Sequence, residues 1–277
     1  MIGAIIGDIV GSRFEFNNHR SKDFELFTDE CFVTDDSIMT LAVAKAIMET
    51  CRTFESSVVT SGFSDEFYSV LERNTIRYMQ EIGRKYPNCG YGSRFYQWIF
   101  SQNPQPYGSF GNGAAMRISP VGFAARSKEE AVKMSKVVTS VSHNHAEGIK
   151  GAEATVIAIF MARTGSSKEE IRSRITRDYY ELDFTLDEIR DTYEFDETCQ
   201  GTVPQAIEAF LESTSFEDAI RNAVSIGGDS DTLAAITGGI AEAYYGVPID
   251  MEEKALTYLD PLLRSIYDEW ENFIKDF

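Results

Sequence analysis

Apolar positions along this chain recur mainly at helical spacing. Behind Ser127, the residues Ala131, Met134, Val138 and Val141 fall on one face, and Phe67, Leu71, Met79 and Ile82 do the same upstream. That three-to-four-residue period marks helices buried along a single stripe, on the outside of a bundle. Residues 38–48 and 152–162 are instead apolar nearly all round, which predicts helices in the middle of a core. A third run, residues 234–245, carries Gly238-Gly239 in its interior. Two mid-helix glycines cost about 1 kcal/mol each against alanine, so the pattern predicts a neighbouring helix packed closely enough to offset them.

Helix starts are marked as well. Ser127 with Glu130, Ser167 with Glu170, Thr185 with Glu188, and Ser215 with Asp218 each pair a hydroxyl with an acid three residues on, the capping-box spacing. No alternating strand pattern persists beyond a few residues, and no hairpin dipeptide separates two such runs. The expectation is an all-α fold, with one domain over residues 1–277 as its simplest form. Residues 86–122, rich in Gly, Pro and Asn, predict one long irregular stretch with a short helix around Phe95 to Phe100; long loops inside compact domains are often functional.

Composition narrows the classes. At 277 residues and 43% hydrophobic content the chain can bury a large core. A formal charge of −18 sets its surface against phosphate backbones and anionic lipid, which argues against nucleic-acid and membrane partners. The apolar opening lacks a basic leader and is interrupted by Asp8, so it does not predict a signal peptide. Cys31, Cys51, Cys89 and Cys199 are scattered without close pairs, the pattern of reduced thiols in a cytoplasmic protein rather than of a disulfide framework or thiolate zinc site.

Two acidic clusters carry the candidate chemistry. Gly227-Gly228-Asp229-Ser230-Asp231-Thr232 and Thr34-Asp35-Asp36-Ser37 each stand at the head of an apolar run. Carboxylates and hydroxyls without neighbouring His or Cys select Mg²⁺, Mn²⁺ or Ca²⁺ over zinc or copper. If all four aspartates face inward, their mutual repulsion favours two cations over one. Taken singly, each cluster reads first as a helix cap; their combination with the remaining motifs reverses that order. Asp229-Ser230-Asp231 also resembles a haloacid dehalogenase-type nucleophile motif, but the threonine offset and the preceding strand that motif needs are absent from the pattern.

Three further segments join them. Gly7 and Gly11 lie four apart on one face of an apolar helix, and Glu15 just beyond it is placed to act as a base or gated ligand. Residues 107–117 hold three glycines among seven residues before helical sequence resumes, a loop whose amides could approach a phosphate. Ser142-His143-Asn144-His145 contains two of the three histidines. No third soft ligand is nearby, which argues against zinc; His143 suits hydrogen bonding, His145 a helix cap, and His19 the surface.

In this order, Gly7-Asp8 through Glu15, Thr34-Asp35-Asp36-Ser37, Gly111-Asn112-Gly113-Ala114-Ala115-Met116-Arg117, Ser142-His143-Asn144-His145 and Gly228-Asp229-Ser230-Asp231-Thr232 resemble the ADP-ribosylglycohydrolases across residues 1–246. The resemblance implies an orthogonally packed helical bundle with two Mg²⁺ or Mn²⁺ ions, hydrolysing the bond from the distal ribose anomeric carbon of ADP-ribose to a protein or small-molecule acceptor. It implies Thr34, Asp35, Asp36, Asp229, Asp231 and Thr232 as metal ligands, and Glu15, Asp36 and Asp231 as catalytic groups. Ser109, Gly111, Asn112 and Gly113 match its pyrophosphate and ribose loop, and His143 its ligand cleft. On this reading backbone amides and metal, rather than basic side chains, hold the pyrophosphate, and Gly227-Gly228 leave room for a ribose. Residues 107–116 contain no acid to face a guanidinium, which tilts toward an O-linked acceptor, although Glu25, Asp29 or Glu30 could supply one. The rival readings are a non-enzymatic, crystallin-like relative, which should have lost ligands that are all present here, and a dinuclear phosphohydrolase acting on the pyrophosphate.

Overall fold

The computed structural model describes residues 1–54 and 63–276. Among them the chain is helical throughout: α1 (Ile2–Gly11), a 3-10 turn (Ser12–Phe14), α2 (Asp35–Thr53), α3 (Asp65–Gly83), α4 (Ser93–Phe100) and α5 (Gly113–Met116). There follow α6 (Ser119–Ala124), α7 (Lys128–Ser140), α8 (Ala146–Arg163), α9 (Lys168–Asp178) and α10 (Leu186–Ile189). The chain closes with α11 (Cys199–Leu211), α12 (Phe216–Val224), α13 (Ser230–Tyr245), α14 (Ile249–Leu256) and α15 (Pro261–Asp276). The described residues form no strand; one isolated bridge joins Gly111 to Thr198. No described helix is long and apolar enough to cross a membrane.

The all-α expectation holds, and so do the two central helices. In α2 and α8 the residues 38–44 and 154–162 are buried without interruption, as all-round apolar sequence requires. The predicted loop at 86–122 is less irregular than its composition suggests, since α4, α5 and α6 all lie within or across it. In α6, Pro120 occupies the first turn, where its missing N–H costs nothing and its fixed φ favours the helix.

Each of the four predicted capping hydroxyls accepts from the amide three residues on. Only Ser167–Glu170 and Thr185–Glu188 close the reciprocal box. Glu130 and Asp218 reach one residue further back instead, to the amides of Arg126 and Thr214. Ser64 and Thr198 cap α3 and α11 without an acid in the third position, and so carried no sequence mark.

The contact that positions the site is between α1 and α13. Every residue of α1 is buried, and its glycines at 3, 7 and 11 form a row one helical turn apart. A Cβ at those positions would strike the backbone carbonyls of Gly238, Ala234 and Ser230 respectively. The two helices thus touch backbone to backbone, which explains Gly238 in α13, while a Cβ at Gly239 would stand 3.2 Å from the Ser119 side chain of α6.

Candidate metal centre

The centre forms where the start of α2, the start of α13 and the end of α1 converge. Thr34 is the N-cap of α2, its Oγ1 accepting from the Asp36 amide at 3.3 Å. The same hydroxyl donates to Asp8 Oδ1 at 2.7 Å. Asp8 Oδ2 accepts from the amides of Thr34 and Ser37, each at 3.1 Å, and from the Ser37 hydroxyl. A fully buried carboxylate in an apolar helix is sustained only by such partners.

At the start of α13, the Asp229 side chain makes no capping bond. Its Oδ2 accepts instead from Asn112 Nδ2 at 2.7 Å. The preceding Gly227 and Gly228 have φ of 72° and 75°, a left-handed turn open to glycine at little cost. Space above them is filled, because Asn18 crowds Gly227 and the Tyr193 ring crowds Gly228. The predicted room for a ribose is therefore not there, and the turn is why the glycines stand in place. Asn18 closes it, accepting from the Gly228 amide at 2.6 Å and donating to the Glu15 carbonyl at 3.1 Å. No strand precedes Asp229, as the dehalogenase motif would need; α12 does.

Electrostatically the cluster is uncompensated. Glu15, Asp229 and Asp231 each offer an oxygen within 4.8 Å of the others, and the Thr232 hydroxyl joins the second half by donating to Asp36 Oδ2 at 3.1 Å. Burial, then the neighbouring acids, drive Glu15 up to about 7 and Asp35 up to about 8. Burial raises Asp8 to about 6 against the pull of its four hydrogen bonds, and lifts Asp36, Asp229 and Asp231 likewise. Asp36 Oδ1 is buried with no hydrogen-bond partner. An orphaned carboxylate oxygen among carboxyls pushed toward neutrality fits a hard divalent cation, which would relieve both costs.

These groups floor a cavity of about 270 Å³. Asp35, Asp36, Asp229, Asp231, Thr232 and Glu15 line it, together with Ser109, Gly111, Asn112, Gly113 and His143. Thr34 lies behind, turned to Asp8. In the glycine loop, the Gly111 amide donates to Ser109 Oγ at 3.2 Å and the Asn112 amide to the Glu197 carbonyl at 2.7 Å, so both are spent within the protein. Basic side chains are present where none was expected, for Arg94 and Arg117 line the same cavity. Phe195 and Glu197 also line it, Phe195 stacked on the 85% exposed Phe16 at 6.1 Å.

The histidines divide their roles. His145 caps α8 through Nδ1, as expected. His19 does not stand free on the surface; it is half-buried, its ring 5.2 Å from Phe14 and 5.4 Å from Phe24.

Sequence reasoning passed over Asp8, Asn18, Arg117 and Glu197 as working residues. Asp8 alone carried a usable signal, being the one charge in a helix otherwise apolar on every face. The other three depend on which loop meets which.

Comparison with known proteins agrees with this architecture. The sequence pattern of the ADP-ribosylglycohydrolase family matches residues 1–271. The chain is 23% identical to ADP-ribosylhydrolase ARH3 of Xenopus tropicalis, over 94% of this chain and 91% of that protein. It is 25% identical to ADP-ribosylarginine hydrolase Tri1 of Pseudomonas putida, over 97% of this chain and 76% of that protein. A solved structure, an ADP-ribosylglycohydrolase-related protein complex, superposes with a TM-score of 0.64 at 21% identity, covering 96% of this chain and 94% of that one.

Proposed function

The chain belongs to the ADP-ribosylglycohydrolase family, and from that premise we propose that it is a metal-dependent ADP-ribosyl hydrolase. It cleaves the bond between the distal ribose anomeric carbon of ADP-ribose and an acceptor on a protein or small molecule, acting as one cytoplasmic domain. The observation that carries this reading is the Thr232–Asp36 hydrogen bond, which makes one site of two acidic clusters beside Glu15.

Two Mg²⁺ or Mn²⁺ ions, held by Thr34, Asp35, Asp36, Asp229, Asp231 and Thr232, would supply Lewis-acid polarisation of the ribose oxygens and of water. The chain's own groups do the rest. Thr232 gives its proton to Asp36, which leaves its oxygen lone pairs for the centre, while Thr34, behind the cavity, gives its proton to Asp8 and accepts from the Asp36 amide, keeping one lone pair. Glu15, raised to about 7, is poised to accept and return a proton near neutral pH. A water oxygen bonds to the anomeric carbon as the bond from that carbon to the acceptor breaks. Glu15, or Asp36 or Asp231, takes the proton that water loses, and the acceptor leaves with it.

Glu197 removes the reason for favouring an O-linked acceptor. With Glu15 it gives the cavity wall two carboxylates beside the Phe16–Phe195 stack, a surface suited to a planar guanidinium. An arginine linkage is the acceptor this favours, and the name of the Pseudomonas putida relative, ADP-ribosylarginine hydrolase, points the same way.

The test is incubation of arginine- and serine-linked ADP-ribosyl peptides with Mg²⁺. Release of intact ADP-ribose supports the reading; AMP with ribose phosphate would identify a phosphohydrolase, and no turnover a non-enzymatic relative. Glu197→Gln should lower the rate on the arginine linkage more than on the serine one.

A further inference from the structure

His143 is buried between the glycine loop and an arginine that no solvent reaches. Its Nδ1 lies 2.8 Å from Ser142 Oγ and 3.3 Å from Arg117 Nη2. Arg117 Nη2 also donates to Ser142 Oγ, at 2.7 Å. A guanidinium offers donors only, and a hydroxyl has one proton to give. Because Nη2 can only donate, its contact with Nδ1 needs the Nδ1 lone pair, and Ser142, accepting from Arg117, has its own proton to give to Nδ1. Nδ1 therefore faces two donors and must present its lone pair. The ring proton is left on Nε2, and an imidazolium, which needs a proton on both nitrogens, would set N–H against N–H.

Nε2 is the nitrogen on the cavity side. A Cβ at Gly113 would stand 3.2 Å from it, and one at Gly111 3.7 Å; both glycines line the cavity with His143. Arg117 has no carboxylate among its hydrogen-bond partners, and its Nε and Nη1 are buried without any. Its guanidinium carbon rests 5.2 Å from the centre of the Phe95 ring. A buried charge with no carboxylate bonded to it is costly until an anion approaches.

We propose that Ser142 and Arg117 are positioning residues that lock His143 in its Nε2–H form, presenting to the cavity a fixed neutral donor, backed by positive charge, for an anionic oxygen of the phosphate class. The ligand half of this inference rests on the ADP-ribosyl reading of the cavity; the tautomer half does not.

Long-range ¹H–¹⁵N correlation spectra of the ligand-free full chain, with the His143 signals assigned by their loss in His143→Gln, test the lock directly. The expected result is a protonated Nε2 and a bare Nδ1; a protonated Nδ1, alone or in an imidazolium, overturns it. ADP-ribose with Mg²⁺ is then added, binding being followed separately by calorimetry. A shifted Nε2–H signal supports the donor role, whereas an unmoved signal in a complex that forms overturns it. Failure of ADP-ribose to bind overturns the reading of the cavity and the ligand half with it, and leaves the ligand-free spectrum to decide the lock. Arg117→Met should give a tautomer mixture and weaken ADP-ribose binding by about tenfold or more; an unchanged spectrum and affinity would remove Arg117 from the role. Should that variant not fold, the wild-type spectra decide alone.

Discussion

Thr232 donates its hydroxyl to Oδ2 of Asp36 at 3.1 Å across 196 positions of sequence. Each residue sits in the first turn of its own helix, so the bond ties together two N-termini whose positive dipole ends both favour negative charge. Helix dipoles alone do not neutralise this many carboxyls. Asp231→Ala is expected to abolish Mg²⁺-dependent hydrolysis while the protein stays helical by circular dichroism. The stabilisation that Mg²⁺ gives the unaltered protein, about 2.7 kcal/mol at a hundredfold excess over Kd, should vanish with it in thermal melts. Full activity in the variant would sink the metal proposal.

Glu15→Ala should cut kcat by about 100- to 10,000-fold while ADP-ribose affinity at saturating Mg²⁺ stays within a few-fold. Because Glu15 also lies within 4.8 Å of Asp229 and Asp231, the Mg²⁺ concentration must be varied. A rate restored at high Mg²⁺ would make Glu15 a ligand rather than the group that handles the proton.

Asp8 touches no part of the cavity, yet it holds Thr34 and Ser37 through four hydrogen bonds. Asp8→Asn keeps the shape but turns an NH₂ toward groups that already donate. Partners of this kind typically contribute 10- to 100-fold in metal affinity, so Mn²⁺ binding followed by calorimetry should weaken by about that factor. Unchanged Mn²⁺ affinity in a folded variant would confine Asp8 to a structural role.

The metal-free protein should lose stability as pH rises. Asp8, Glu15 and Asp35 have folded-state values of about 6, 7 and 8, against ordinary values of 3.8, 4.5 and 3.8. The folded state therefore holds protons that the unfolded chain has released, and unfolding stability falls with pH across that interval. Their contribution is fully present below about pH 4 and is lost as pH climbs through 6 to 8. Melting temperatures in EDTA should fall between pH 5 and pH 8, and Mg²⁺ should flatten the fall. A rise in EDTA over that range would contradict the burial of these groups as carboxylates.

Gly7→Ala places a methyl group against the Ala234 carbonyl. The overlap should cost about 1–3 kcal/mol, outweighing alanine's better helix propensity, as read by denaturant midpoint. Mn²⁺ affinity should fall too, because α1 carries Asp8 and α13 carries Asp231. A variant as stable as the original would mean that the two helices have slack between them.

What was legible in the sequence was whatever repeats along one element or sits next to it. The all-round apolar stretches in α2 and α8, the capping hydroxyls and both acidic clusters are local patterns. Glu15 was visible because an acid directly after an apolar helix is conspicuous. Arg117 was not, since an arginine ending a small-residue run looks like any surface charge until Ser142 and Phe95 are found around it. Glu197 and Phe195 lie in acid-rich sequence that resembles solvated loop, and only the pairing of Gly111 with Thr198 brings them to the cavity. Asn112 was expected to face ligand, and it lines the cavity; its bonds to Asp229 and Thr202 are a matter of three segments meeting, which no single one encodes.

The acids around the cavity also couple metal to protons. Six carboxyl groups, those of Glu15, Asp35, Asp36, Asp229, Asp231 and Glu197, surround a space of about 270 Å³, and burial raises the first five, so that without a cation the floor keeps protons. A divalent cation would take the place of those protons, because a carboxylate binds metal only in its deprotonated form. On the metal-dependent reading the centre is thus a proton store as well as a binding site, giving up its protons when it takes metal.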